Sequence, residues 1–118
     1  MRDGMYHTSI RIPQEATSQL QAQPVDVVLN YTWHAIEASQ TDRNGRVYLP
    51  ETINWKLAQL VEIEVVNGKV YKAVARLHHD SKRDLVVVVL LNGYRVKTVW
   101  LNRKNDNHRT LDTGKYNR

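Results

Sequence analysis

The clearest pattern of hydrophobic and polar positions lies in the second half of the chain, where runs of strand-forming residues are broken by turn pairs. Asn67-Gly68 and Asn92-Gly93 each sit between such runs, and Asn-Gly readily takes the positive φ angles of a two-residue hairpin turn. "VEIEVV-NG-KVYKAVARL" predicts one hairpin and "LVVVVLL-NG-YRVKTVWLN" a second, joined by the polar link "HHDSKRD". Together they predict a four-stranded antiparallel meander. Counting outward from each turn assigns the faces, because a slip of one residue inverts every side chain. In the second hairpin this pairs Leu91 with Tyr94, Val89 with Val96, Val87 with Thr98 and Leu85 with Trp100. The opposite face pairs Leu90 with Arg95, Val88 with Lys97, Val86 with Val99 and Asp84 with Leu101. A strand apolar on both faces belongs at the centre of its sheet. Arg95 and Lys97 would then project beside the Val86/Val88 stripe, where a shallow cleft can form. The first hairpin pairs Val65 with Val70, Ile63 with Lys72, Val61 with Val74 and Gln59 with Arg76. Lys72 reads there as a solvated strand residue, and Arg76, near the strand end, as a side chain able to lean over a cleft.

The pattern upstream is weaker. Residues 1 to 24 are polar, with Gln14, Gln19, Gln21 and Gln23 and two prolines, and read as an arm with room for one short helix. Val25 to Trp33 is rich in β-branched and aromatic residues and suits a strand. "HAIEASQ" tolerates a helix, and "DRNG" at 42 to 45 is turn chemistry. After Pro50, Ile53, Leu57 and Leu60 fall at i, i+4 and i+7, a helical stripe. The predicted fold is α+β, with one or two short helices packed on a four- to five-stranded antiparallel meander. Its domain runs over residues 25 to 112, between the arm and a basic tail at 113 to 118.

The 118 residues suffice for one core. With 42% apolar and 25% charged residues, wholesale disorder is excluded. The absence of cysteine removes disulfides, thiol nucleophiles and thiolate metal sites. No stretch resembles a signal peptide or the roughly 20 apolar residues of a membrane span, so the expectation is a soluble, cytoplasmic protein with no membrane partner. The net charge of +5 is unevenly placed. Of 17 basic and 12 acidic residues, seven and two lie between Arg95 and Arg118, which leaves ten of each in residues 1 to 94. All the net positive charge therefore falls on the last predicted strand and the tail, as expected of a surface that meets phosphates.

The chain has five histidines, His7, His34, His78, His79 and His108. None stands in a metal-binding arrangement such as HExxH, and His78 and His79, adjacent on a strand, point to opposite faces. No phosphate-binding glycine loop and no GxSxG elbow occurs, and no cofactor is implied. Histidine, arginine, lysine, threonine and asparagine are nevertheless enough for metal-free RNA cleavage. A base removes the 2′-OH proton, cations stabilise the phosphorane, and an acid protonates the leaving 5′-oxygen. Histidine suits both transfers because its pKa of about 6.5 lies near working pH.

Four stretches carry a family likeness: "TWHAIEASQTDR" (32 to 43), "VYLPETI" (47 to 53), "VARLHHD" (74 to 80) and "VKTVWLNRKNDNHRTLD" (96 to 112). This succession resembles the small phage and toxin domains grouped with RelE, EndoU, barnase and the colicin-type ribonucleases. The resemblance covers about residues 25 to 112. It implies a metal-independent endoribonuclease of toxin or phage-effector type, with RNA as its partner and a cognate antitoxin or host protein as a further one. Position by position, His34 matches the histidine at the helix start, Arg76 the basic residue of the middle strand, and Lys97 and Thr98 the polar pair of the last strand. His108, set among Arg103, Lys104 and Arg109, would share the acid and base work with His34. Arg95, Asn102, Arg103, Lys104, Arg109 and Lys115 would bind nucleic acid. The chain departs from the pattern in carrying Glu37 and Gln40 where family members often have a second Arg, and in its arm. The competing expectation is a non-catalytic phage or mobile-element protein that binds nucleic acid or a host protein.

Overall fold

A computed structural model describes residues 1–7, 12–42 and 45–105. The four predicted strands form as β3 (Gln59–Val66), β4 (Lys69–His78), β5 (Arg83–Leu90) and β6 (Arg95–Arg103), each antiparallel to the next. They are the middle of a larger sheet. β1 (Gly4–His7) adds antiparallel to β3, and β2 (Asn30–Tyr31) adds parallel to β6. The fold is α+β with an open six-stranded mixed sheet of order β1-β3-β4-β5-β6-β2, in place of the expected four- to five-stranded antiparallel meander. β1 escaped the pattern because "GMYH" is too short to show an alternation, whereas β2 is the part of the strand expected over Val25 to Trp33 that forms. The polar segment read as an arm thus supplies an edge strand and also helix α1 (Gln14–Gln21).

At the first turn, Asn67 and Gly68 have φ of 54° and 73° and Val66 pairs with Lys69, the two-residue turn expected of Asn-Gly. The second turn is wider. Leu90 pairs with Arg95, and Leu91 to Tyr94 form the loop, with φ of 77° at Gly93 and 48° at Tyr94. Tyr94 accepts a left-handed backbone because its ring is buried and its hydroxyl donates to Gln23 Oε1 at 2.8 Å.

A bulge then corrects the register. Val89 pairs with Val96 but Val88 pairs with Thr98, so Lys97 is the extra residue of a bulge. Every later pair moves by one: Val87 with Val99, Val86 with Trp100, Leu85 with Leu101 and Asp84 with Asn102. Thr98 and Trp100 consequently leave the helix-packed face. The first hairpin has two bulges that cancel, so Gln59 meets Arg76 as counted, whereas Lys72 sits opposite Glu64 and Val74 opposite Glu62.

One face of the sheet packs against Ala16 and Leu20 of α1, Ala35 of α2 (Trp33–Gln40), and Ile53 and Trp55 of the segment before β3. Ile63, Ala73, Ala75, Leu85, Val87, Val89, Val96, Val99 and Leu101 meet them from the strands. Burying each large side chain contributes about 1.5–3 kcal/mol relative to exposure. The stripe after Pro50 forms no helix. Asn54 Oδ1 accepts from Lys56 N at 3.0 Å, a local bond that competes with helix, and Leu57 is left 81% exposed. Most of Val25 to Trp33 is not strand either: only Asn30 and Tyr31 pair with β6, and Val28 makes a lone bridge to Thr52.

Thr32 caps α2 by accepting from Ala35 N at 3.1 Å. It also ties the helix to β6, its N–H donating to Val96 O at 3.1 Å and its hydroxyl to Lys97 O at 3.0 Å. Just beyond the helix, Asp42 Oδ2 accepts from Leu101 N at 2.8 Å. The segment around α2 thereby satisfies edge groups of β6 that would otherwise invite another strand. Among the described residues, no helix is long and apolar enough to cross a membrane.

Candidate functional site

Cross-strand partners share a face, so the pairings define rows on the side of the sheet away from α1. Val74, Val88 and Thr98 form one row, Arg76, Val86 and Trp100 the next, and His78, Asp84 and Asn102 the last. Val61, Val74, Val86 and Val88 make a small apolar cluster with Trp100 packed against it. This second face is therefore an apolar floor that ends in a polar row.

Polar chemistry concentrates at that end. Arg76 is only 4% exposed. Its Nε donates to Asp84 Oδ2 at 3.1 Å, and its Nη2 donates to Arg103 O at 2.8 Å while lying 3.1 Å from the same carboxylate oxygen. Lys104 Nζ reaches Asp84 Oδ1 at 2.7 Å and His78 Nδ1 at 3.1 Å. An ammonium has donors only, so in this contact Nδ1 is the accepting atom. One carboxylate thus serves two cations, and the group as a whole is positive.

Farther along the same face, toward β3, Lys72 is 7% exposed and lies 3.5 Å from Glu62 Oε2 and 3.9 Å from Glu64 Oε1, while His7 Nδ1 is 3.2 Å from Glu62 Oε1. Lys72 is an ion-paired buried residue and not the solvated one its strand position suggested. The bulges cause this by setting it beside two glutamates in place of Ile63.

The structure brings Arg76, Thr98 and Asn102 onto one face and sets Lys104 against them. His34 and Lys97 lie elsewhere: His34 is exposed in the first turn of α2, two residues after the Thr32 that binds the Lys97 carbonyl. β4 and β6 are two strand spacings apart, about 10 Å, so Arg76 reaches across β5 toward β6 while His34 stands beyond it. Arg95 and Arg103 mark the two ends of β6, about 25 Å apart. His108, Arg109 and Lys115 lie outside the described residues.

Sequence reasoning passed over His78 and Asp84 as parts of a site. The available signal was the hairpin register, which pairs His78 with Asp84; the bulge at Lys97 hid that Asn102 completes the row. His79 behaves differently, as adjacent strand positions require. Its Nε2 accepts from Tyr48 N at 3.0 Å, its ring stacks on Tyr48 at 5.5 Å, and its Nδ1 faces Asp80 Oδ2 at 3.2 Å. Asp80 in turn holds Arg83, through Nε at 3.0 Å and Nη2 at 2.7 Å, and accepts from the backbone N–H groups of Lys82 and Arg83. The Arg83 side chain, followed by the Lys82 N–H, holds the Asp80 carboxyl well below the usual carboxylate range. Comparison with protein-family models, curated proteins and solved structures finds no match to this chain.

Proposed function

We propose that the protein acts on RNA as a metal-independent endoribonuclease that cleaves by 2′-OH attack, with the polar end of the second sheet face as its site. The observation that carries the reading is the meeting there of Arg76, His78, Asp84, Asn102 and Lys104, with Thr98 four residues before Asn102 on the same face of β6. The chemistry needs cations for the phosphorane and a proton donor for the leaving oxygen. Lys104 and Arg76 are the cations, and His78, as the imidazolium, would give its proton to the leaving oxygen. Asn102 and Thr98 orient the phosphate. The base is His108, which follows Lys104 by four residues in the chain and was expected to share the acid and base work; His34 stands beyond β6, away from this row.

A non-catalytic nucleic-acid binder is the second reading, and the Arg76–Asp84 pair favours it. The guanidinium expected on the scissile phosphate already holds a carboxylate. Total RNA incubated with the protein in EDTA separates the two. The expected result is cleavage by the wild type, lost in H78A and in H108A and kept in H34A. Intact RNA with the wild type refutes the enzyme. Salt-sensitive binding without cleavage supports the binder, and cleavage by H78A removes His78 from the mechanism.

A further inference from the structure

We infer that the cleft at the open end of the β5–β6 hairpin is a phosphodiester-binding subsite for single-stranded RNA. The inference rests on RNA being the partner and is independent of whether the chain cleaves it. A cavity of about 540 Å³ lies there, lined by Lys82, Arg83, Arg103, Lys104 and Asn105. That volume falls in the range of ligand pockets, yet four of the five lining side chains are cationic and none is apolar.

The backbone forces these charges together. Arg83 and Arg103 are direct cross-strand partners, and Lys104 N donates to Lys82 O at 3.1 Å. Like charges placed opposite one another destabilise a sheet, and the nearby carboxylates relieve this only in part. Asp80 is taken by Arg83, and Asp84 is shared between Lys104 and the buried Arg76. Lys82 and Arg103 are exposed, and no carboxylate among the described residues lies within ion-pair distance of either. An ammonium and a guanidinium remain in a recess that also offers the Asn105 amide, the donor set a phosphate oxygen takes.

The neighbouring surface favours an unpaired strand. From Arg83 the chain of contacts runs through Asp80 and His79 to Tyr48, whose ring is 65% exposed and lies 5.5 Å from the Arg46 guanidinium carbon. This exposed ring, stacked on His79 and with one cation, Arg46, over it, is a place where an unstacked base can join the stack. A duplex keeps its bases stacked and cannot use it. The cleft also adjoins the polar row, since Lys104 lines the one and contacts His78 and Asp84 in the other. A phosphate in the cleft would hold its neighbour along the strand near that row.

The test uses a labelled uridine 12-mer with 2′-O-methyl groups, which binds without offering a nucleophile. Anisotropy is followed over a KCl titration. The double variant K82A/R103A is expected to reduce the magnitude of the slope of log K against log salt by about 1.4, about 0.7 for each lost phosphate contact. The control K56A/K69A removes the same charge from exposed positions elsewhere and is expected to keep the wild-type slope. Y48A is expected to weaken binding about tenfold with the slope unchanged. An unaltered slope in K82A/R103A overturns the inference, as does an equal fall in the control. Unlabelled duplex RNA that competes as well as the single strand overturns the assignment to single strands. Cleavage of unmodified RNA is scored separately, so failure of the enzyme reading leaves this result standing, and the reverse also holds.

Discussion

Replacing Asp84 by Asn tests how the polar end of the second face is held together. Arg76 is nearly fully buried and takes two contacts from Asp84 Oδ2, whereas the Asp84 side chain is 16% exposed and has a second cation in Lys104. Removing one partner of a buried ion pair costs about 3–5 kcal/mol, because the other charge stays desolvated. D84N belongs at the low end, about 3 kcal/mol, since Arg76 keeps its bond to the Arg103 carbonyl and the amide oxygen can still accept. For 118 residues the unfolding entropy is about 0.25 kcal/mol per degree, so the melting temperature should fall by about 12 °C. R76M should cost less, because Asp84 keeps Lys104 and the methionine refills the space over Val86. The combined variant R76M/D84N should be more stable than D84N alone by about 2 kcal/mol, since no uncompensated guanidinium remains. Urea unfolding followed by circular dichroism measures all three. A D84N value within about 0.5 kcal/mol of the wild type, or simple additivity in the double variant, would refute the reasoning.

The Asp80 carboxyl has a folded-state pKa below its unfolded value of about 3.9, so its contribution is complete above pH 4 and is lost as pH falls toward the lower folded value; D80A should abolish that part of the acid transition, and carboxyl carbon shifts in a pH titration report it directly. Burial raises the Tyr31 phenol, which donates to the Pro50 carbonyl. Its contribution is therefore complete below pH 10 and is lost as the unfolded phenol ionises, so wild type should lose stability faster than Y31F between pH 10 and 12 in alkaline melts. L57A should change stability by less than about 0.5 kcal/mol and I53A should cost about 2–5 kcal/mol; equal effects in chemical denaturation would restore the helical stripe that the structure lacks.

The central hairpins were legible because their signals are local. Asn-Gly sets a turn within two residues, and valine runs on both faces mark a central strand wherever the rest of the chain lies. The missing pieces depended on partners far along the chain. β1 becomes a strand only because β3 offers it a free edge, with Asp3 accepting from the N–H groups of Asn67 and Gly68 at 2.8 and 3.0 Å. The bulge at Lys97 has no composition signal of its own, and it sits where Thr32 of the α2 cap takes the Lys97 carbonyl. That one extra residue decided that Thr98, Trp100 and Asn102 stand with Arg76, while Lys97 stands apart.

The candidate site divides in the same way. The residue types and the basic bias of the C-terminal third are properties of the linear chain, since charge and chemistry do not depend on register. Which histidine meets which cation is a matter of rows. Turn chemistry, strand propensity and net charge are short-range, and the sequence alone determined them. The edge strands, the bulges and the pairing of Arg76 with Asp84 and of Lys104 with His78 were decided only in the tertiary structure, where unsatisfied backbone groups and buried charges must find partners that no local window contains.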